Sequence, residues 1–364
     1  MDYKIVRTIE GFEALKEDWE RIEKNSPIIT YFSTFVFNYT WWSVYCGSKD
    51  IELHIIVVYQ DKRVAGIAPL QIRELRRRLY STHVLEFLHG GGDYSDFLID
   101  LDVTADPMKI ITTIFTALGD NHNNWDEIWL THISQHTLLS HYLLKSGYNN
   151  SYIYLMENPY IDFSKFDSFE KYTKAFLPKK IRQYVNRFQR EVDFRMIVTN
   201  ENVINQISKI HVAEKSYLQT KGKIQRHSLF EDSYAYRFLD LLYSNDNVLT
   251  YMLVDSDSNQ EIICYYSGYV YNSVFHSVVT AYNPRYQRLA VGKIFNYMIF
   301  ENNMKERRWK IFDMGTGRYA WKFEMTNTFN LLYQYHVFQP NSKKMYYLDK
   351  CEKLISAILQ FLRK

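Results

Sequence analysis

Hydrophobic and polar positions along the chain fall into two passes through one order of elements, with no repeat at the level of residue identity. In the first pass, 52–59 and 64–72 read as strands joined by the polar turn Gln60-Asp61-Lys62-Arg63, a hairpin signal. Strands at 84–88 and 96–99 follow, then a helix over 107–118 and a strand over 127–133. The second pass opens on an amphipathic basic helix, 169–192, whose polar face carries Lys179, Lys180, Arg182, Arg187 and Arg190. Helices over 203–219 and 231–243 lead to three consecutive strands, 248–254, 261–270 and 273–282, with turns at 255–260 and Tyr271-Asn272, which predicts an antiparallel meander. A helix over 292–305 and a strand over 309–314 complete the pass. Leu348, Cys351, Ile355, Ile358 and Leu362 then mark one face of a terminal amphipathic helix, expected to pack on the body rather than on a membrane. The order predicts an α/β (α+β) chain of two tandem domains, 1–160 and 161–340, each a mixed, mostly antiparallel sheet flanked by helices, with 341–364 as the packed terminal helix.

Composition changes this picture little. A length of 364 residues suits two domains, and 31 Tyr and 23 Phe supply ample apolar surface. The 44 Lys and Arg nearly balance 41 Asp and Glu, which removes any general attraction to nucleic acid or to an anionic membrane. An anionic ligand must therefore be held locally. The N-terminus lacks an apolar secretion core, no run of eighteen apolar residues occurs, and Cys46, Cys264 and Cys351 are widely spaced. A cytoplasmic protein with reduced thiols is expected, its oligomeric state open.

The stretch 273–322 is the most informative. The strand SVFHSVVTAY runs into the loop NPRYQRLAVG, which opens the helix GKIFNYMIFENN, and the chain returns through WKIFDMG. The loop contains Gln287-x-x-Ala290-x-Gly292. Small residues there let backbone approach a ligand, and the N–H groups of a first helical turn carry partial positive charge. Such a terminus suits a pyrophosphate, with Arg285, Arg288 and Lys293 adding charge.

This arrangement resembles the coenzyme A site of the GNAT superfamily, with Gln287 and Gly292 matching its loop signature and Ala290 standing where the family has glycine. A second resemblance covers nearly the whole chain, to the tandem FemAB-like and CelD-like acyltransferases. It rests on FSTFVFNYTWW at 32–42, GGGDYSDF at 90–97, KKIRQYVNRFQRE at 179–191 and FDMGTGRYAWK at 312–322, in the family's order. Arg318, Trp321 and Met325 depart from that pattern, as does Glu214-Lys215-Ser216-Tyr217. The resemblance implies two tandem GNAT-like domains and transfer of an acyl group, acetyl in the simplest case, from acyl-CoA to an amine, possible acceptors being an amino sugar or polysaccharide precursor. Coenzyme A would lie along Val279, Thr280, Ala281, Gln287, Arg288, Leu289, Ala290, Val291, Gly292 and Lys293. An oxyanion donor is expected among the backbone N–H groups of 278–281. Asp313 is expected as base or amine orienter, Tyr282 as acid for the leaving thiolate and Lys322 as a binder of an anionic acceptor, while Asp93, Tyr94, His211 and His276 are candidates for the acceptor. For each of these side chains a packing or salt-bridge role competes. The same family offers an aminoacyl-tRNA donor as the alternative, supported by the basic helix, and a non-catalytic scaffold as a third possibility.

The first pass lacks the loop. Its connection DLDVTADPMKI is acidic, without glycine or arginine, and would repel a pyrophosphate. This half is expected to keep the shape without the cofactor and to contribute to the acceptor pocket. Arg73 with 76–78 reads as a charged hairpin connection, and His132, His136 and His141 lack the partners of a zinc site, so no metal is expected. Neither a phosphate-binding NTPase loop nor a serine-hydrolase motif occurs.

Overall fold

The computed structural model describes all residues except Pro27, 48–49, Leu79, 90–91, 104–105, Asn149, 224–225, Asn259, 340–342 and 363–364. The chain divides into two compact units, one of Met1–Met156 with Leu331–Lys364 and the other of Glu157–Asn330.

The first unit opens with β1 (Asp2–Val6), α1 (Ile9–Glu13), α2 (Lys16–Asn25) and α3 (Phe35–Tyr45). Thr8 and Thr34 cap α1 and α3, their hydroxyls accepting from the Gly11 and Phe37 N–H groups. The two predicted hairpin strands each break in two, giving β2 (Ile51–Leu53), β3 (Ile55–Gln60), β4 (Arg63–Ala68) and β5 (Leu70–Arg76). Pro69 has no N–H to give a ladder, and at the same corner His54 N–H reaches Leu70 O at 3.0 Å. β6 (Ser81–Phe87), β7 (Leu98–Ile99), α4 (Pro107–Asp120), β8 (Glu127–Ser134) and α5 (Leu138–Lys145) follow. One hairpin thus feeds two sheets, β1-β3-β4-β7 and β2-β5-β6-β8. Ile110, Ile111 and Ile114 of α4 are fully buried in a core with Leu85, Ile128 and Leu130.

Strand β9 (Tyr152–Asp162) leads into the second unit. The basic segment predicted as one helix is two, α6 (Phe169–Phe176) and α7 (Ile181–Glu191), because Pro178 disfavours helical geometry at Leu177, which is extended at φ −88° and ψ 144°. Then come β10 (Phe194–Thr199), α8 (Ile204–Thr220), α9 (Ser233–Tyr243), β11 (Val248–Asp255), β12 (Ile262–Tyr271), β13 (Val274–Tyr282), α10 (Val291–Glu306), β14 (Ile311–Asp313) and α11 (Ala320–Phe323). The strands order β10-β11-β12-β13-β14, with 160–162 of β9 antiparallel to β14. Among the described residues of this unit only the β13–β14 pair is parallel, α10 being its crossover. Phe275 and Phe312 stack with centroids 5.2 Å apart beneath Ile299 and Phe300 of α10. Each fully buried aromatic contributes about 2–3 kcal/mol by leaving water.

The chain ends with β15 (Phe329–Phe338), which from Leu332 onward pairs antiparallel with β8, and α12 (Lys343–Leu362). Neither β9 nor β15 is among the predicted strands. On α12 the predicted apolar face is only partly covered, with Leu348 and Ile355 half-buried, Cys351 and Ile358 exposed, and the Leu362 side chain outside the described residues.

Candidate active site

Strand β12 pairs with β13 along its whole length, but β14 accompanies β13 for only three residue pairs, from Val274↔Ile311 to His276↔Asp313. Past His276 the two parallel strands part. There the register with β12 also slips, since Ser267 faces Val279 while Gly268 faces Ser277, leaving Val278 as the extra residue of a bulge. Gly268 is required at that point, because a Cβ on it would lie 2.1 Å from the His276 carbonyl oxygen. At the far end Asn283 N–H turns toward β12 and reaches Ile263 O at 2.8 Å, so strand alternation turns Tyr282 N–H to the side β14 has left. The group waiting there is Glu214 of α8, whose Oε1 accepts from Tyr282 N–H at 3.4 Å.

The loop after β13 is anchored by polar side chains. Asn283 Oδ1 accepts from Arg285 N–H at 3.0 Å, and the Tyr286 hydroxyl donates to Asp255 at 2.6 Å. Residues 284–289 form a 3-10 turn, and Ala290 then adopts left-handed geometry at φ 52°, ψ 37° as the N-cap of α10. No side chain caps that helix; Ala290 N–H reaches Gln287 O at 3.3 Å and Lys293 N–H reaches Ala290 O at 3.0 Å, which leaves the Val291 and Gly292 amides to offer. Leu289 and Val291 are buried beneath, while Gln287, Arg288, Gly292 and Lys293 are exposed. A Cβ on Gly292 would meet nothing within 4 Å. Of the three expected cations, Arg285 pairs with Glu261 at 3.1 Å and Lys293 with Glu324 at 2.9 Å, whereas Arg288 makes no ion pair among the described residues. Gln287 accepts from the Tyr217 hydroxyl. Helix α7 packs beside this turn and exposes Arg182, Arg187 and Arg190, with Lys179 and Lys180 exposed just before it.

The polar side chains gather where β13 and β14 separate. His276 and Asp313 are register partners, both buried, with Nδ1 3.9 Å from Oδ2. Asp313 Oδ1 accepts from Gly315 N–H at 2.9 Å. Lys322, also buried, donates to the carbonyl oxygens of Gly315 at 2.7 Å and Thr316 at 2.9 Å, and its ammonium lies 5.4 Å from the Tyr319 ring centroid. It braces the turn after β14. Arg318, a departure from the family pattern, forms a two-pronged ion pair with Glu157 at 2.6 and 3.0 Å, so the residue has its own local partner.

Val279 and Ala281 are buried, and exposed Thr280 donates its hydroxyl proton to Tyr265 O at 2.8 Å. Tyr282 is half-buried, and burial followed by the nearby Glu214 raises its pKa, so the phenol holds its proton at neutral pH. His211 lies buried on α8 with Nδ1 2.7 Å from the Ser228 hydroxyl, and burial followed by Lys215 pulls it down to about 3. Its ring is neutral. Glu214, one turn further along α8, is the residue that sequence reading singles out only as a departure. It is buried, bridged to Lys215 through Oε2, and aimed at the parted edge of β13. The remaining candidates belong to the first unit. Tyr94 is buried beside Phe32, with ring centroids 6.3 Å apart, and Asp93 is half-buried, while Gly90 and Gly91 of the same motif lie outside the described residues.

A bulged strand parting from its parallel neighbour, beside an uncapped helix start, is matched by the sequence comparison. Residues 176–323 fit the model of the acetyltransferase (GNAT) domain family. The second unit has a GNAT-type acyltransferase fold. Among solved structures similar to this chain is FemX, at 9% identity and a TM-score of 0.62, with 96% of this chain and 99% of that one covered. A conserved protein of unknown function from Bacteroides thetaiotaomicron superposes with a TM-score of 0.54 at 10% identity, covering 93% and 100%. L-PGS from Bacillus licheniformis does so with 0.52 at 13%, covering 96% and 97%. At these identities the likeness is one of fold. No curated protein matches the chain by sequence. Among the described residues no helix is long and apolar enough to cross a membrane.

Proposed function

We propose that the GNAT-type unit transfers an acyl group, acetyl in the simplest case, from acyl-coenzyme A to an amine. The observation that carries this reading is the parting of β13 from β14 next to the uncapped, left-handed start of α10, which leaves strand N–H groups and helix amides directed away from the protein's own ladders. The amides of Val291 and Gly292, with Arg288, would hold the pyrophosphate, and Gly292 would allow its close approach. N–H groups of β13 between 278 and 281 would receive the thioester carbonyl oxygen as it gains charge. When the amine nitrogen bonds to the carbonyl carbon and the carbon–sulfur bond breaks, the nitrogen's extra proton goes to Glu214 and the sulfur takes one from the Tyr282 phenol. Asp313 orients His276 and the Gly315 turn, and Lys322 keeps that turn in place. By the resemblance of its motifs to CelD-like acyltransferases the acceptor is an amino sugar or polysaccharide precursor, and a coenzyme A donor suits the cytoplasm.

Acetyl-CoA should raise the melting temperature of the protein, and Gly292→Glu, which places a carboxylate among the α10 amides in open space, should abolish that shift while leaving the unliganded melting temperature unchanged. A shift of equal size in the variant would refute the site. With an accepted amine, Glu214→Gln should lower kcat roughly 10²-fold or more with little change in the KM for acetyl-CoA, as expected for loss of a general base.

The exposed cations of α7 beside the loop favour a second reading, an aminoacyl-tRNA donor, since phosphates would match that surface. Filter binding of charged tRNA that weakens steeply with salt, together with no melting shift from acetyl-CoA, would select it.

A further inference from the structure

Helix α12 carries an apolar stripe that the described residues leave largely uncovered. Tyr347, Leu354, Ile358 and Phe361 are 62%, 63%, 50% and 80% exposed, and at spacings of seven, four and three residues they share one side of the helix. The charges are sorted as well. Both acids of α12 face inward, Asp349 buried and paired with Lys353 at 2.6 Å, and Glu352 accepting from Arg78 N–H at 2.8 Å. Lys350 and Lys353 stand exposed. By sequence, residues 343–364 hold six cations against two acids, a net +4, where the whole chain is only +3. The rest of the chain therefore carries −1, and the positive balance of the sequence resides in this terminal stretch.

We infer that α12 is an interfacial helix that docks the protein on an anionic lipid bilayer. Charge complementarity selects that occupant. An outward stripe of Leu, Ile, Phe and Tyr can sink into the boundary between headgroups and acyl chains, while lysines beside it reach anionic headgroups, each basic residue near the surface adding about 1 kcal/mol. The helix would lie in the plane of the interface, its acids turned away from the lipid and already bound to protein. The near-neutral remainder explains why the charge of the whole chain gives no sign of a membrane partner.

The test is co-sedimentation of the full chain with sucrose-loaded vesicles of phosphatidylcholine, with and without phosphatidylglycerol. Pelleting with the anionic vesicles, at least about tenfold above the neutral ones and falling as salt is raised, is expected. The double variant Leu354→Asp, Phe361→Asp should lose it, and Lys350→Glu should weaken it. Because these side chains are exposed, the melting temperature should not change, and that measurement separates lost docking from lost folding. Wild-type protein that stays in the supernatant, or double-variant protein that pellets as well as wild type, would overturn the inference. Light scattering that shows a dimer dissolved by the same double variant, with no vesicle binding, would give the stripe to a second copy of the chain instead.

Discussion

Each unit contains a parallel strand pair that begins together and then parts. In the first unit β6 and β8 pair only at Val84↔Glu127 and Leu85↔Ile128, and in the second β13 and β14 pair only from Val274 to His276. What happens past the parting is different. In the first unit the chain itself reaches the diverging strand, with Ser95 N–H donating to His132 O at 3.0 Å and Tyr94 and Phe97 buried. The helix beyond is then closed by its own residue, the Asp106 carboxylate accepting from Met108 N–H at 3.2 Å with Pro107 in the first turn. Asp100, just before it, is buried and held by Arg21 and by Arg63 at 3.5 Å. The second unit has no cap on α10, no acid in its first turn, and a glycine facing open space. A helix start capped by the protein's own carboxylate meets a phosphate with one amide taken and a negative charge in place. The same architecture thus starts its helix with a side-chain cap in one unit and without one in the other, and the difference lies in a few residues at one connection.

The largest effect expected within this comparison concerns the bulge. Gly268→Ala forces a Cβ against backbone at 2.1 Å, whereas the first unit's Gly66→Ala meets the Ile110 side-chain methyl at 2.3 Å, which can shift. Denaturant titration should show a loss of about 3 kcal/mol or more for the first and roughly 1–2 kcal/mol for the second. Equal losses would mean that the bulge is not a rigid requirement of the parted strands.

A smaller effect follows from His211. Its pKa falls from the ordinary 6.5 to about 3 in the fold, so the unfolded chain binds the proton more readily. The stability this contributes is complete above pH 6.5 and is lost as pH drops from there toward 3, at up to about 1.4 kcal/mol per pH unit. His211→Asn should flatten that part of the pH–stability curve, and an unchanged slope would place the acid sensitivity elsewhere.

The two helix starts supply the smallest pair. Asp106→Ala should cost about 1 kcal/mol, the usual value of an N-cap, without altering the response to acetyl-CoA. Ala290→Gly should instead stabilise by about 0.5–1 kcal/mol, because it relieves left-handed strain that a Cβ makes costly. If Ala290→Gly destabilises, the left-handed cap is not under strain.

Much of this was written locally in the chain. Alternating runs marked β11, β12 and β13, and Gln287, Ala290 and Gly292 stood where a strand meets a helix, because periodicity and small residues act over a few positions. The acidic connection of the first unit was legible for the same reason, and Pro69 and Pro178 carried break signals that the apolar pattern obscured. Strands β9 and β15 were missed although YIYLMENPYID and FNLLYQYHVF have strand composition, since their partners lie far away in the chain and each follows an irregular segment.

By itself the sequence determined the order of elements, the acidic or basic character of each connection, and the place of the Gln287–Gly292 loop between a strand and a helix. Only the tertiary structure decided that Glu214 of α8 reaches Tyr282 N–H across 68 residues, that Lys322 spends its charge on the carbonyl groups of Gly315 and Thr316, and that α12 turns its acids inward and its apolar stripe outward. Those outcomes depend on which faces meet after the sheets have formed, and a residue's neighbours along the chain do not hold that information.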